Sequence, residues 1–280
     1  MPSFTYNTPQ PIDLTVDNLL GDVEIRATDN PTTSIEVTGP RADEVVITAN
    51  DKTIEVRTPS FHKLNSLISV VVVRNRRISI VIEAPSRSNL RLRLGAGKTI
   101  VTGPFNDVDL HSGVGAVEFS RVEGSITVEG GSGSVNVDAI ESPSHLEVGA
   151  GSITVGQISA KTHLESGTGK IDLGQVTGPV SLETGAGSLH VGSISADLKA
   201  ELGVGGAVID RISSGRFSFD GTAGNVSIGV AKATPTWTDI HTVAGRVHNK
   251  LPSVGEPAEG QDHVELHIST VTGSIELTPV

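Results

Sequence analysis

Residues 146–156 read LEVGAGSITVG, residues 164–174 read LESGTGKIDLG, and residues 182–192 read LETGAGSLHVG. The three segments share one pattern, and each begins 18 residues after the one before it. The G-x-G inside the pattern recurs at the same step beyond these segments. A fixed short period of this kind is typical of stacked repeats. The second glycines of the series are Gly97, Gly115, Gly133, Gly151, Gly169, Gly187 and Gly205.

Apolar residues occupy four fixed positions in each repeat, counted from its second glycine. In the repeat of Gly151 these are Leu146, Ile153, Val155 and Ile158. On each side of the G-x-G, apolar positions lie two apart, which is the alternation of a β-strand and not the spacing of a helix. The G-x-G therefore marks a corner between two strands.

A repeat this short cannot bury its own apolar face, but stacked repeats can, because each pairs its backbone with the next at about 4.8 Å. Burying one Leu, Ile or Val contributes roughly 1.5–3 kcal/mol. Each corner glycine costs only about 0.5–1 kcal/mol of backbone entropy. We therefore predict an all-β fold, a single-domain parallel β-solenoid (β-helix) with 18-residue coils, for which a right-handed turn is assumed.

The repeat divides the chain into three stretches of one elongated domain, residues 1–280. Residues 1–90 are predicted to form irregular N-terminal coils and a cap, and residues 91–212 to form the regular coils. Residues 213–280 are predicted to form degenerate coils and a C-terminal cap. Terminal repeats are usually atypical in this way. The coils are expected to follow one another along the solenoid axis in the order in which they occur in the sequence. Trp237, the only tryptophan, is expected to pack over the C-terminal end and not to bind a sugar.

Composition excludes several classes of function. The chain has no cysteine, which excludes disulfides, thiolate metal sites and cysteine catalysis. Its net charge of −11 argues against nucleic-acid binding. The first twenty residues lack Lys, Arg and an apolar stretch, so no secretory signal is expected. The longest apolar run, Val70–Val73, is far too short to span a membrane. A cytoplasmic location is predicted, with the cell surface reached only by a non-classical route.

Charge is unevenly distributed along the chain. Basic residues predominate from Lys63 to Lys98, and acidic residues predominate from Gly103 to Glu201. Contacts between such regions of different molecules would be exposed and screened by salt. The pattern predicts a weak homo-oligomer that dissociates as ionic strength rises.

The main candidate surface is a column of glutamates four residues before each second glycine. They alternate with the inward leucines, so they are expected to face solvent. At one coil apart, like charges repel by about 1 kcal/mol per pair in water, which counterions, a divalent cation or a basic partner would offset. A solvated face that only confers solubility is the alternative. The candidates, with two histidines on the same face, are Glu129, Glu147, Glu165, Glu183, Glu201, His145 and His163.

Other chemistries fit the residues poorly. No helix follows the glycine pairs, as a phosphate loop requires. No aspartate stands at the position that calcium-binding rolls use. Glycosidases place two carboxylates about 5 Å apart, but they need different pKa values, which equivalent exposed glutamates lack. We predict no enzyme, no catalytic residue, no cofactor and no confident metal site.

Three segments carry a resemblance to a known family. They are the repeated L-E-x-G-x-G-S-I-x-V-G, the opening segment 21–25 (GDVEI) and the tail segment 238–249 (TDIHTVAGRVHN). Together they resemble the bacterial β-strand-repeat family called domain of unknown function 4097, labelled "putative adhesin" and related to the head GIN domain. The resemblance covers essentially the whole chain. It implies a β-solenoid and no catalytic residues.

These observations favour a non-catalytic binding or scaffolding module that presents a rigid repeat surface to an unidentified protein or polymer. A self-assembling structural or adhesin-like protein and a carbohydrate-active enzyme on a β-helix are the alternatives. Identical coils make open ends prone to association. Residues 1–90 and the loop Pro252–Asp262 are predicted to cap the ends, which favours the binding module over the self-assembling protein.

Overall fold

The computed structural model describes residues 2–59, 77–253, 255, 257–258 and 260–280. Strands dominate, and the one helical element among these residues is a 3-10 turn at Ala42–Glu44. Contacts divide the chain into two compact units, unit 1 (residues 1–138) and unit 2 (residues 139–280). The predicted all-β parallel solenoid is confirmed, whereas its handedness and the single elongated domain stay predictions. Part of the basic stretch Lys63–Lys98 lies outside the described residues.

Three regular coils of unit 2 are each formed by one long bent strand. Strand β13 (Thr162–Val176) pairs in parallel with β12 (Ser144–Ile158) and with β14 (Val180–Ile194). The register places each residue beside its equivalent one repeat away, so Leu146 pairs with Leu164 and Leu164 with Leu182. Inside β13, Leu164 and Ser166 are buried before the corner, and Ile171 and Leu173 after it. This change from even to odd positions shows that the strand turns at the G-x-G.

Gly169 shows two physical reasons for a glycine at the second position of the pair. Gly169 has a φ of 145°, which side-chain-bearing residues rarely adopt. A Cβ atom there would also lie 1.5 Å from the carbonyl oxygen of Gly151, the corner glycine one coil away. Corner backbones therefore stack too closely for any other residue.

The predicted apolar columns form the core of both units. All four positions are buried in the repeats of Gly115 to Gly205, including Leu110 in unit 1 and Ile153 in unit 2, whereas in the repeat of Gly97 the last position, Pro104, is half-buried. The middle residue of the G-x-G points outward, and Val114 and Val204 are both 57% exposed there. Sequence alternation thus correctly separates interior from surface.

In unit 1, strands from later in the sequence pack outside the first coil. Strand β2 (Asp13–Leu20) pairs in parallel with both β6 (Thr53–Arg57) and β8 (Asn89–Ala96). Likewise, β3 (Val23–Thr28) pairs in parallel with both β7 (Ser79–Pro85) and β9 (Thr99–Thr102). Strands β1 and β4 then add antiparallel pairings beyond β7, and β5 pairs antiparallel with β6. The strands of unit 1 are β1 (Ser3–Asn7), β2 (Asp13–Leu20), β3 (Val23–Thr28), β4 (Thr32–Thr38), β5 (Val46–Ala49), β6 (Thr53–Arg57), β7 (Ser79–Pro85), β8 (Asn89–Ala96), β9 (Thr99–Thr102), β10 (Val108–Phe119) and β11 (Ile126–Ile140), which continues two residues past the boundary.

In unit 2, the last coil of the sequence lies between the two coils that come before it in the sequence. Strand β21 (Val264–Thr272) pairs in parallel with both β17 (Gly215–Ala223) and β19 (Thr236–Ala244). Strand β19 is therefore the outermost of these three strands. The expectation that sequence order gives axial order is therefore wrong here. The inward side chains of β21 include Leu266 and Ile268, which are buried, so this strand is stabilised by a neighbour on each side. The inward side chains of β19 are mostly half-buried threonines, which tolerate the outermost position. The remaining strands are β15 (Leu198–Val204), β16 (Ala207–Ile212), β17 (Gly215–Ala223), β18 (Val226–Val230), β19 (Thr236–Ala244), β20 (Val247–Asn249), β21 (Val264–Thr272) and β22 (Ile275–Pro279).

Trp237 does not cover the C-terminal end as expected. Its side chain belongs to the outward row of β19 and is 55% exposed, with its ring centroid 4.8 Å from that of His267. The strand alternation, which turns Thr236 and Thr238 inward, explains this orientation. No helix in the described part of the chain is long and apolar enough to cross a membrane.

Candidate binding surface

A row of carboxylates runs across consecutive coils of unit 2. Each carboxylate stands one residue after a buried position, so strand alternation directs it outward. The parallel register brings each beside its equivalent in the next coil, at the inter-strand spacing of about 4.8 Å. We call this set the acidic column. Its members are Glu147, Glu165, Glu183, Glu201 and Asp220.

Asp220 was missed by the sequence analysis. The coil that ends at Gly224 carries one residue more than the regular repeat, which breaks the 18-residue count. Asp220 nevertheless pairs with Glu201. The available signal was its distance from the corner, since Asp220 stands four residues before Gly224, as each glutamate stands before its own glycine.

Most carboxylates of the acidic column lack a protein cation. Among the described residues, Glu147, Glu165 and Glu183 accept no hydrogen bond and form no ion pair, and all three are exposed. Glu201 differs, because the Nζ of Lys199 lies 2.5 Å from its Oε1. Unit 2 therefore concentrates negative charge along one line of its surface.

Several carboxylates of the acidic column stabilise the positive charge of Lys199. The pKa of its ammonium group is raised, first by its hydrogen bond to Glu201 and by the charge of that carboxylate, and then by the charges of Glu183 and Asp220. A cation at this place is thus stabilised by carboxylates from three coils. The same field is available to a cation brought by a ligand.

An open groove of about 620 Å³ follows the acidic column. Glu165, Glu183 and Asp220 line it, and it extends over consecutive coils. Ser166 and Thr184 belong to the same lining, and their hydroxyl oxygens are buried without a hydrogen-bond partner among the described residues. The groove has the form of a track for an extended ligand and not of an enclosed cavity.

The two candidate histidines lie beside the acidic column, on the same face. His145 and His163 occupy equivalent positions in neighbouring coils, and their rings stack with centroids 5.0 Å apart and planes 5° apart. Within the described part of the chain, no group of three or more His, Cys, Asp or Glu side chains is arranged to hold a metal ion. The histidines therefore contribute a stacked pair of imidazole rings next to the carboxylates.

Glu129 lies in unit 1 and has a different environment. Its Oε2 lies 3.1 Å from Nε2 of His111, whose Nδ1 lies 3.3 Å from Oδ1 of Asp109. The equivalent positions of unit 1 form what we call the mixed column. In register order its members are Arg57, Asp17, Arg93, His111 and Glu129.

Two aspartates elsewhere on unit 2 are paired. His190 bridges two aspartates, with Nδ1 2.9 Å from Oδ1 of Asp172 and Nε2 3.0 Å from Oδ2 of Asp210. These contacts, led by the one with Asp172, raise the pKa of His190. The pKa of Asp172 is lowered, mainly by its hydrogen bond from Lys170 and then by that from His190. The carboxylates around His190 are thus neutralised by protein cations, in contrast to Glu147, Glu165 and Glu183 of the acidic column.

Comparison with known proteins identifies a family. The sequence profile described as Toastrack DUF4097 matches residues 12–278. A "putative adhesin" from Bacteroides fragilis NCTC 9343 has 10% identity and a TM-score of 0.43, covering 99% of this chain and 96% of its own. A "putative lipid binding protein" from Parabacteroides distasonis ATCC 8503 has 12% identity and a TM-score of 0.38, covering 98% and 96%. A "putative cell adhesion protein" from Clostridium sporogenes ATCC 15579 has 12% identity and a TM-score of 0.22, covering 100% and 99%. No curated protein matches the chain.

Proposed function

We propose that this chain, which belongs to the Toastrack DUF4097 family, is a non-catalytic binding module whose acidic column engages a basic protein segment or cationic polymer. The observation that carries the proposal is the succession of in-register carboxylates, most of them without a protein cation, along an open groove. Neighbouring members repel by about 1 kcal/mol per pair in water. A ligand with several positive charges relieves that repulsion.

The expected binding is multivalent and sensitive to salt. One exposed ion pair contributes only about 0.2–1 kcal/mol. Several linked contacts combine, because after the first contact the others form within one complex. Screening beyond about 0.15 M ionic strength weakens every contact. An extended Lys-rich or Arg-rich segment that follows the groove fits this requirement better than a compact cation.

The chemistry of the groove supports binding and not catalysis. Glu165, Glu183 and Asp220 are all exposed and without a protein cation among the described residues, whereas acid–base chemistry needs two groups whose environments separate their pKa values. Neither candidate histidine, His145 nor His163, lines the groove. The proposal therefore assigns Glu165, Glu183 and Asp220 to contacts with ligand charges.

Calorimetric titration with an oligolysine peptide tests this function. The binding variant is Glu165→Gln, Glu183→Gln and Asp220→Asn. The control removes the same number of charges at exposed acids outside the column, through Asp51→Asn, Glu141→Gln and Asp262→Asn. We expect the binding variant to lose at least about tenfold in affinity at low salt, and the control less than about twofold. Equal losses would reveal attraction to net charge alone, and absence of wild-type binding would refute the proposal.

A further inference from the structure

The outermost coil of unit 2 presents an unpaired strand edge. Strand β19 pairs on one side with β21, and no described strand pairs with its other side, which we call the free edge. An unpaired edge is a template for another strand, and natural proteins usually shorten, charge or interrupt it. β19 has 9 residues without proline, and Asp239 is its only Asp, Glu, Lys or Arg. In unit 1 the outer antiparallel strands β5 and β1 have only 4 and 5 residues.

The backbone groups on the free edge follow from the pairing with β21. The N–H of Val264 donates to the carbonyl of Pro235. In a parallel ladder, successive residues direct their N–H and C=O groups to opposite sides. As far as Thr242, odd-numbered residues of β19 therefore bond to β21, whereas Thr238, Ile240 and Thr242 direct their N–H and C=O groups to the free edge. The alternation shifts at the corner, where the N–H of Gly273 donates to the carbonyl of Ala244.

The sequence of β19 is self-complementary about Ile240. Its outward row is Trp237, Asp239, His241 and Val243, and all four are exposed. If a second copy runs antiparallel with Ile240 opposite Ile240, then Asp239 faces His241 and Trp237 faces Val243 of the other copy. Acid thus meets base, and an aromatic ring meets a β-branched side chain, both of which are favourable cross-strand pairs.

The same register matches the backbone. It places Ile240 opposite Ile240 and Thr238 opposite Thr242, so every free-edge group just described meets a partner. A register centred on residue 239 also matches the backbone, but it sets Asp239 against Asp239. A register centred on residue 241 sets His241 against His241. Like charges directly opposite are destabilising, which disfavours the register centred on residue 239, and the register centred on residue 241 sets Asp239 against Val243 and so loses the pair with His241.

We propose that the protein forms a two-fold symmetric dimer through antiparallel pairing of the free edges of β19, centred on Ile240. The contact uses the same strand on both copies, so it closes at two and does not propagate into a filament. The contact pairs Trp237 of one copy with Val243 of the other, and these side chains are 55% and 71% exposed in the single chain. The acidic column takes no part in the contact, so the dimer stands or falls independently of the proposed function.

Sedimentation velocity on the full chain, from about 5 to 500 µM, tests for the dimer because this range covers weak complexes. We expect a concentration-dependent monomer–dimer equilibrium without larger species. His241→Glu sets Asp239 against an acid and should weaken the dimer at least about tenfold. Asp239→Lys combined with His241→Glu restores opposite charges in the proposed register and should recover it. Thermal melts show whether each variant is folded.

Engineered cysteines test the register itself, because the chain has none of its own. Non-hydrogen-bonded antiparallel pairs have Cα atoms about 4.5 Å apart, within the range of about 4.4–6.8 Å that a disulfide spans. Mixing the Asp239→Cys and His241→Cys proteins should give a cross-linked heterodimer on mild oxidation, and each alone should give little. A monomer at all concentrations overturns the proposal. So does equal cross-linking by one variant alone, or a failure of the double charge variant to recover the dimer while it remains folded.

Discussion

The mixed column of unit 1 and the acidic column of unit 2 occupy the same position of the repeat. Both stand next to a buried apolar column, and all their members except Arg57 stand four residues before a corner glycine. In unit 1 the charges differ in sign and form ion pairs, such as Arg57 Nε with Asp17 Oδ2 at 3.5 Å. In unit 2 they are all carboxylates, and Lys199 is the one lysine or arginine that pairs with a member in the described part of the chain.

This difference separates what the solenoid needs from what its surface can carry. The interior has the same apolar columns in both units, because each coil is stable only by burying them against its neighbours. Outward positions tolerate paired or repelling charges, since exposed charges change stability by only about 1 kcal/mol or less. The acidic column is therefore a feature that the fold permits but does not require.

The largest expected effect concerns the shared interior. Ile153→Asp in unit 2 and Val135→Asp in unit 1 change the equivalent buried position of the repeat, and each should lower the free energy of unfolding by about 3–5 kcal/mol by burying an unpaired charge. Their outward neighbours, Thr154→Asp and Asn136→Asp, should change it by about 0.5 kcal/mol or less. Urea unfolding followed by circular dichroism measures all four. Equal stability of the inward and outward variants would contradict the assignment of faces.

Much of the regular solenoid could be predicted from the sequence, because its constraints are local. A buried position, an outward position and a corner glycine recur at a constant step, as Leu164, Glu165 and Gly169 illustrate. Strand alternation and the positive φ of the corner then determine which side each residue takes. The end coils follow no constant step. The insertion of β21 between β17 and β19 depends on long-range pairing, which single-sequence patterns do not encode.

The candidate site was predictable in part, for the same reason. Glu165 and Glu183 follow from the repeat, whereas Asp220 was hidden by a single inserted residue. Glu129 fits the repeat as well, but its pairing with His111 depends on the neighbouring coil of unit 1. Sequence spacing thus identifies a column, and three-dimensional neighbours decide whether its charges are paired.

Neutralising the two columns should have opposite effects on stability. Glu165→Gln with Glu183→Gln removes repulsion in unit 2 and should raise the free energy of unfolding by up to about 1 kcal/mol at low salt. Arg57→Gln removes an attraction in unit 1 and should lower it by about 0.2–1 kcal/mol. Both effects should fade above about 0.15 M salt. Urea unfolding at low and high salt measures them, and a change of the same sign for both columns would contradict the comparison.

The smallest expected effect concerns the paired acids of unit 2, which contrast with its acidic column. Asp172 and Asp210 raise the pKa of His190 above its ordinary value near 6.5. The folded state therefore binds this proton more tightly than the unfolded state, and the stabilisation is fully present below about pH 6.5. It is lost as pH rises through the folded-state pKa. The difference in unfolding free energy between wild type and His190→Gln should thus shrink from pH 6 to pH 9. His163→Gln, which removes an imidazole that pairs with no carboxylate, serves as control. A difference for His190→Gln that stays constant or grows with pH would show that the two aspartates do not stabilise the protonated ring.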